Sequence, residues 1–274
     1  MKKAIFLFDY TGIMAKPWAD AGYLCYCFDG QHPLGVSKGD HENILNVGMW
    51  FSTDITGDIS SDDVGKILAI TGSNIEIVFG FPECTQLAVS GAAHFPAKFD
   101  ANPFFQDEAM VLVYLVRDLG EKIGCKWALE NPVSVISTKW RKPDFYFDPW
   151  QYGGYLPEDD VHPIYPEHIK PRDAYPKKTG IWCGNGFINP ALMEVGPSLH
   201  DLESGKLPES QVHLADELFY DEHMKKPMYK KDGSPIWGYS DQHKKLGGKS
   251  LKTKNIRSAT PRGFASAVFE FNNH

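Results

Sequence analysis

The sequence predicts an α/β domain built on a mostly parallel sheet with helices on both faces. Short apolar runs bounded by Gly, Pro, Asn or Asp alternate with segments of helical period, and that alternation favours this class. The chain also opens in the order strand, glycine-bearing turn, helix, strand, acid, as in a nucleotide-binding βαβ unit. Two later apolar runs end in residues able to do chemistry, and ligands bind at the carboxyl ends of strands in open α/β sheets.

The first strand is expected over residues 4–8, running into the turn Asp9-Tyr10-Thr11-Gly12. A helix over 15–22 has Pro17 in its first turn and Gly22 past its end. The second strand covers 24–28 and ends at Asp29, about 20 positions after the turn, where a carboxylate accepts from ribose hydroxyls. Residues 31–46 are polar and Gly-rich and read as a loop. A third strand is expected over 49–53, followed by Asp54, which either caps the next turn or binds a base amino group. Ser60 or Ser61 caps a helix running through Ile70.

The fourth strand, residues 75–81, is the run Ile-Glu-Ile-Val-Phe-Gly-Phe. Pro82 stops it, and Cys84 follows on a loop of small and polar residues. This cysteine is either a packed thiol or a nucleophile at the sheet's carboxyl edge. Residues 92–103 read as a loop, and 107–123 as a helix stopped by Gly124. A fifth strand, 127–129, ends in Glu130-Asn131-Pro132. Partial desolvation there raises a glutamate's pKa and suits it to proton sharing near neutral pH. Residues 137–179, rich in Pro, Gly, Tyr and Asp, predict little regular structure. A strand returns over 179–183. A weak helix near 211–220 follows, and Ser258 or Thr260 caps a last helix over 261–271.

A chain of 274 residues suffices for one large domain with a small appendage. We divide it into 1–183, a small appended region over 184–250, and a C-terminal segment over 251–274 that packs back. A hydrophobic fraction of 42% and a charged fraction of 23% are ordinary for a soluble globular protein. No apolar run approaches the ~20 residues of a membrane span. Asp9 ends the first apolar run too early for a signal peptide. Five cysteines at irregular spacing build no disulfide framework, so a reducing cytoplasm is expected. No pair of Cys-x-x-Cys elements occurs, and no metal is expected. The net charge of −7 disfavours nucleic acid on average. Residues 242–262 run the other way, with His243, Lys244, Lys245, Lys249, Lys252, Lys254, Arg257 and Arg262 and no acid. They form either a solvated loop or a phosphate-binding stretch.

Taken together, these segments resemble the cytosine-5 DNA methyltransferases, and within them the small relatives of phage and bacterial genomes. Phe8-Asp9-Tyr10-Thr11-Gly12 with Ala21-Gly22-Tyr23 is similar to the first, S-adenosylmethionine-binding motif. Asp29 falls on the ribose-binding acid and Asp54 on the acid that holds the adenine amino group. Pro82-Glu83-Cys84 resembles the Pro-Pro-Cys nucleophile loop, and Glu130-Asn131-Pro132 the Glu-Asn-Val element whose Glu contacts the target cytosine. Tyr175-Pro176-Lys177-Lys178-Thr179 aligns with the late motif that usually carries Gln-x-Arg-x-Arg. Ser258-Ala259-Thr260-Pro261 resembles the closing motif.

The resemblance implies a Rossmann-like methyltransferase fold, S-adenosylmethionine as cofactor and DNA as substrate. It implies catalysis by Cys84 and Glu130, and cofactor contacts from Asp9, Tyr10, Thr11, Gly12, Asp29, Asp54, Pro82 and Ser258. Phosphate binding falls to Lys177, Lys178, Lys252 and Lys254. No protein partner is implied, and a monomer is expected. Two departures stand out. Glu83 replaces the second proline, where its charge opposes ionisation of Cys84 unless it turns away to pair with Lys98 or a lysine of the basic stretch. Lys177 and Lys178 replace the arginines and lack their rigid fork. They leave open a same-fold enzyme that modifies another pyrimidine or uses a modified cofactor, and an inactive relative that binds nucleic acid or protein.

Overall fold

The computed structural model describes residues 1–55, 59–194, 246 and 250–274. Among the described residues there are seven strands: β1 (Lys3–Leu7), β2 (Leu24–Lys38), β3 (Ile44–Gly48), β4 (Ile75–Gly80), β5 (Lys126–Pro132), β6 (Phe145–Phe147) and β7 (Thr179–Gly184). The helices are α1 (Lys16–Asp20), α2 (Ile59–Thr71), α3 (Phe95–Ala101), α4 (Phe105–Ile123), α5 (Ile136–Lys139), α6 (Leu251–Ser258) and α7 (Arg262–Asn272). The sheet order is β3-β2-β1-β4-β5-β7-β6. β1 lies parallel to β2 and β4, and β4 parallel to β5, whereas β7 runs antiparallel to β5. The result is an α/β fold on a mostly parallel mixed sheet, consistent with a Rossmann-like fold.

Alternation along the strands divides the core. Ile5, Leu7 and Val78 join Val64 and Ile67 of α2 and Val113, Val116 and Leu119 of α4 in one buried cluster. The alternate residues Phe6, Ile77 and Phe79 are fully buried on the opposite face. There the Phe79 ring lies 6.3 Å from Phe187. Trp18 of α1 stands edge-on to Tyr23 and to Phe269, each 5.1 Å away. A side chain at Gly80 would strike Val116, so this glycine lets α4 close on the sheet.

Five elements differ from the sequence reading. The stretch read as a loop over 31–46 is largely strand. Residues 25–29 of β2 pair with 44–48 in ascending, parallel register. The register then reverses, with Val36 opposite Val47, Ser37 opposite Asn46 and Lys38 opposite Leu45, so β2 doubles back and closes a hairpin with β3. Leu34 is 86% exposed. An edge segment open to water carries no burial pattern that periodicity could reveal.

The third strand accordingly ends at Gly48, not at Thr53. Met49 and Phe51 instead lie irregularly against the core, with the Phe51 ring 5.2 Å from Phe8 and 6.3 Å from Phe28. The expected loop over 92–103 holds a 3₁₀ turn (Val89–His94) and α3, which starts at a proline-bearing first turn. The basic stretch contains α6, capped by Ser250, whose Oγ accepts from the Thr253 N–H at 3.1 Å. α2 begins at Ile59, ahead of the two expected cap serines. The weak helix expected near 211–220 and most of the appended region fall outside the described residues.

The chain groups into two compact units. The first comprises 1–146, 179–189 and 269–274, and the second 147–178 and 190–268. This grouping crosses the boundaries at 183 and 250. In the second unit Phe147 stacks on Phe264 at 4.1 Å, and the buried Tyr152 hydroxyl donates to the Pro190 carbonyl at 3.2 Å. A buried ion cluster ties its parts together. Arg262 Nη1 donates to Asp160 Oδ1 at 2.6 Å, and Asp173 Oδ2 accepts from the Gly263 N–H at 3.1 Å. Asp173 thus caps α7 from a distant loop, in place of Ser258 or Thr260. Among the described residues, no helix is long and apolar enough to cross a membrane.

Candidate active site

The turn after β1 is set by its backbone. Phe8 takes φ 60, a conformation seldom adopted by a non-glycine residue, and Gly12 takes φ 66. The N–H groups of Phe8 and Asp9 donate to the Phe28 carbonyl at 2.7 and 3.3 Å, fixing the turn against β2. Asp9 Oδ1 then accepts from the Gly12 N–H at 2.9 Å and the Thr11 hydroxyl at 3.2 Å. Asp9 is 3% exposed. Burial pushes its pKa up to about 6; the Gly12 and Thr11 bonds pull the other way, and the nearby Asp29 charge raises it further. Its Oδ2 is buried and finds no hydrogen-bond partner among the described residues.

Asp29 stands at the end of the parallel part of β2, as expected. Its Oδ1 accepts from the Gln31 N–H at 2.8 Å. Burial raises its pKa, against the pull of that N–H and of His32. His32 is 8% exposed and stacks on Tyr10, with ring centroids 5.3 Å apart. Its Nε2 is buried without a partner among the described residues. Next to Asp29, a Cβ at Gly30 would meet the Trp50 ring at 2.5 Å, so the indole rests on the glycine backbone. Trp50 is nevertheless 75% exposed, and one ring face is open to solvent.

Asp54 lies elsewhere than expected. Because β3 ends at Gly48, Asp54 is not at a strand end. It is exposed, and its N–H donates to Ser52 Oγ at 3.2 Å. The buried acid of this segment is Asp63, whose Oδ2 accepts from the Ser52 N–H at 2.9 Å and whose Oδ1 accepts from Lys66 at 3.0 Å.

The Cys84 loop leaves β4 at the same edge of the sheet. The Phe81 N–H donates to the Leu7 carbonyl at 3.0 Å, and Pro82 is buried. The Cys84 carbonyl accepts from the N–H groups of Leu87 and Ala88 at 3.0 and 2.8 Å, which closes a turn around the half-buried thiol. That turn is tied to the segment after β5. The Val135 N–H donates to the Leu87 carbonyl and the Val89 N–H to the Val133 carbonyl, both at 3.0 Å. The fully buried Asn131 donates from Nδ2 to the Pro82 carbonyl at 3.0 Å.

Glu130 is not on a loop but within β5, half-buried, opposite Ile181 of β7. Its neighbour Leu129 pairs with Gly80, the last residue of β4, so Glu130 lies on β5 beside the point where the chain leaves β4 for the Cys84 loop. Glu83 is exposed and accepts from the Thr85 hydroxyl at 2.8 Å. Lys98 reaches the Thr85 carbonyl at 2.7 Å, not the Glu83 carboxylate.

The remaining expected site residues belong to the second unit. Lys177 donates to the Arg257 carbonyl at 3.1 Å, which joins the late motif to the end of α6. Lys178, Lys252 and Lys254 are exposed. Ser258 ends α6, and its hydroxyl donates to the Asn255 carbonyl at 3.3 Å. Arg262 leaves the phosphate-binding stretch, because Asp160 and Asp173 hold its guanidinium inside the unit. His243 to Lys245 and Lys249 lie outside the described residues.

Trp50, His32 and the role of Asn131 were not foreseen. His32 sits in the stretch read as loop. The signal for Trp50 was Gly30 directly after an expected ligand-binding acid, a place where close approach calls for glycine. No protein-family model matches the chain, and no curated protein matches it significantly.

Proposed function

We propose that this chain transfers a methyl group from S-adenosylmethionine to carbon 5 of cytosine in DNA, through a covalent adduct on Cys84. One observation carries the reading. The Cys84 turn is bonded to the chain around Glu130, on the sheet edge that also holds the Asp9–Gly12 turn and Asp29. The loop that carries Cys84 leaves β4, and Glu130 lies in the neighbouring strand β5; strands in such sheets are about 4.8 Å apart.

The residues present fit the cofactor. A pyrophosphate on the turn would lie in the field of the buried Asp9 carboxyl, with no lysine or arginine among the described residues paired with it, so a dinucleotide is disfavoured. A cationic nucleoside suits the two acids, and the open face of Trp50 offers a stacking surface for its purine ring. The strand order agrees up to the fifth strand with the dinucleotide fold, then departs from it by inserting the reversed β7.

The chemistry is as follows. The Cys84 thiolate adds to carbon 6 of the ring, and the displaced electron pair makes carbon 5 nucleophilic. Glu130 shares a proton with ring nitrogen 3 and stabilises the negative charge that develops there. S-adenosylmethionine supplies the methyl group from its sulfonium. Carbon 5 then gives up its proton to a base, and the returning electrons expel Cys84 as thiolate. A base within a duplex cannot reach such an edge, so the cytosine is flipped out. Lys177, Lys178, Lys252 and Lys254 are the groups assigned to DNA phosphates.

DNA with fluorine at carbon 5 of cytosine tests this. With S-adenosylmethionine it should trap the protein in a denaturant-resistant adduct, and Cys84→Ser should not form it. Turnover of ordinary DNA without trapping would refute the nucleophile assignment. Glu83 favours one other reading, the same fold acting on another pyrimidine. Mass spectrometry of the product nucleosides separates the two.

A further inference from the structure

Asp9 is an unusual group to place beneath a binding turn. A buried charge ordinarily requires a partner of opposite sign. Asp9 is held only by neutral donors of Thr11 and Gly12, its Oδ2 has no hydrogen-bond partner among the described residues, and no described lysine or arginine pairs with it. The groups nearest to it are two thiols and a second acid. Cys25 and Cys27 of β2 lie against it, and their thiol pKa values are raised first by burial and then by the Asp9 charge. Asp29, at the end of the same strand, has the same sign. His32 lies beside Asp29 under the Tyr10 ring, with Nε2 unpartnered. Among the described residues, the charge around the turn is therefore predominantly negative. The exposed indole of Trp50, seated on Gly30 beside Asp29, marks the same edge as the place for a planar group.

We propose that Asp9 is the proton-linked counter-charge for a cationic ligand on this turn, and that it distinguishes the charged cofactor from its uncharged product. The proposal rests on the cofactor reading given above. It acts through the field, without contact between Asp9 and the ligand. With no ligand, the carboxyl holds a proton over the acidic part of the physiological range. When the cation arrives, the carboxyl releases that proton to water and the two charges stabilise each other. Methyl transfer removes the sulfonium charge while the nucleoside is still bound. S-adenosylhomocysteine, net neutral, then faces a carboxylate without a counter-ion, and Asp9 takes a proton back from water. The cofactor is thereby favoured over the product on the same turn.

Calorimetry on the full chain tests this from pH 5 to 8, in two buffers of different ionisation enthalpy. The ligands are S-adenosylmethionine and S-adenosylhomocysteine. For the wild type, S-adenosylmethionine affinity should rise with pH below about 6, by at most tenfold per pH unit for one proton. It should level off above, with buffer-dependent heat reporting proton release. S-adenosylhomocysteine should show a weaker dependence. In Asp9→Asn the pH dependence should vanish, and the preference for cofactor over product should fall by about tenfold, the equivalent of one pH unit of coupling. A wild-type profile that is flat, or that survives in Asp9→Asn, overturns the proposal; in the second case another group carries the titration. Failure of the wild type to bind either nucleoside removes the cofactor reading and this one with it. A carbon-13 NMR titration of the ligand-free protein separates the two failures. If the Asp9 carboxyl titrates in the ordinary aspartate range, the counter-charge role falls whatever the cofactor is.

Discussion

Replacing Asp9 by asparagine should stabilise the protein, and by an amount that depends on pH. The Asp9 carboxyl is pushed from an ordinary 3.8 to about 6 in the fold, chiefly by burial. Because the folded value is the higher one, the folded state favours the protonated form. That contribution is fully present below pH 3.8 and is lost as pH rises through about 6. The span is about 2.2 pH units, which at 1.36 kcal/mol per unit is about 3 kcal/mol. Asparagine keeps the acceptor for the Gly12 N–H, but its amide replaces Oδ2 at a position with no described partner. One unsatisfied buried group costs about 1 kcal/mol or more. The net gain expected for Asp9→Asn above pH 7 is therefore about 1–2 kcal/mol, falling to zero or below at pH 4. Urea unfolding of both proteins at pH 4, 5, 6, 7 and 8, followed by far-ultraviolet circular dichroism, measures the difference. A difference that does not change with pH, or a wild type more stable than the variant at pH 8, refutes the reasoning.

Asn131→Ala should lower stability by about 1–3 kcal/mol, because the Pro82 carbonyl loses its buried donor. On the proposed function, it should also slow methyl transfer by about 10²-fold while sparing cofactor affinity, since it loosens the Cys84 loop; single-turnover rates and calorimetry read the two effects, and a normal rate removes Asn131 from the positioning role. Arg262→Ala should cost about 3–5 kcal/mol, since Asp160 and Asp173 are left buried without their cation. A thermal scan matching the wild type would contradict the ion cluster. Lys252→Ala with Lys254→Ala should flatten the salt dependence of DNA binding by about 0.9 in log–log slope for each phosphate no longer neutralised; an unchanged slope makes α6 a solvated face only.

The parallel core could be read from the sequence because it is buried on both faces. Continuous apolar runs at 4–8 and 75–81 have few other uses in a chain of this composition. Glycines after α1 and α4 marked their ends for the same local reason. The region between β2 and β3 could not be read this way, because the edge hairpin owes its pairing to backbone bonds and leaves Leu34 in water. That error displaced the third strand and with it Asp54. The place of Cys84 on the loop just past β4 could be read because Pro82 closes the apolar run. What fixes its turn was not legible, since the bonds from Asn131, Val89 and Val135 depend on which strands become neighbours. Arg262 shows the converse limit. Within a run of cations it looks like its neighbours, and only the partners at positions 160 and 173 set it apart.

The cap on α7 has a consequence for how the chain matures. Asp173 lies 89 residues before the N–H of Arg262 that it receives. The helix therefore cannot be closed by anything local as it emerges from the ribosome. Its first turns belong to the second unit, and residues 269–274 belong to the first. Neither unit has all its parts until this last stretch has been synthesised, so the chain must spend most of its synthesis with both units open. A stop codon ahead of residue 262 would take a piece from each, and the expected product is an aggregating chain, not a shortened but folded one.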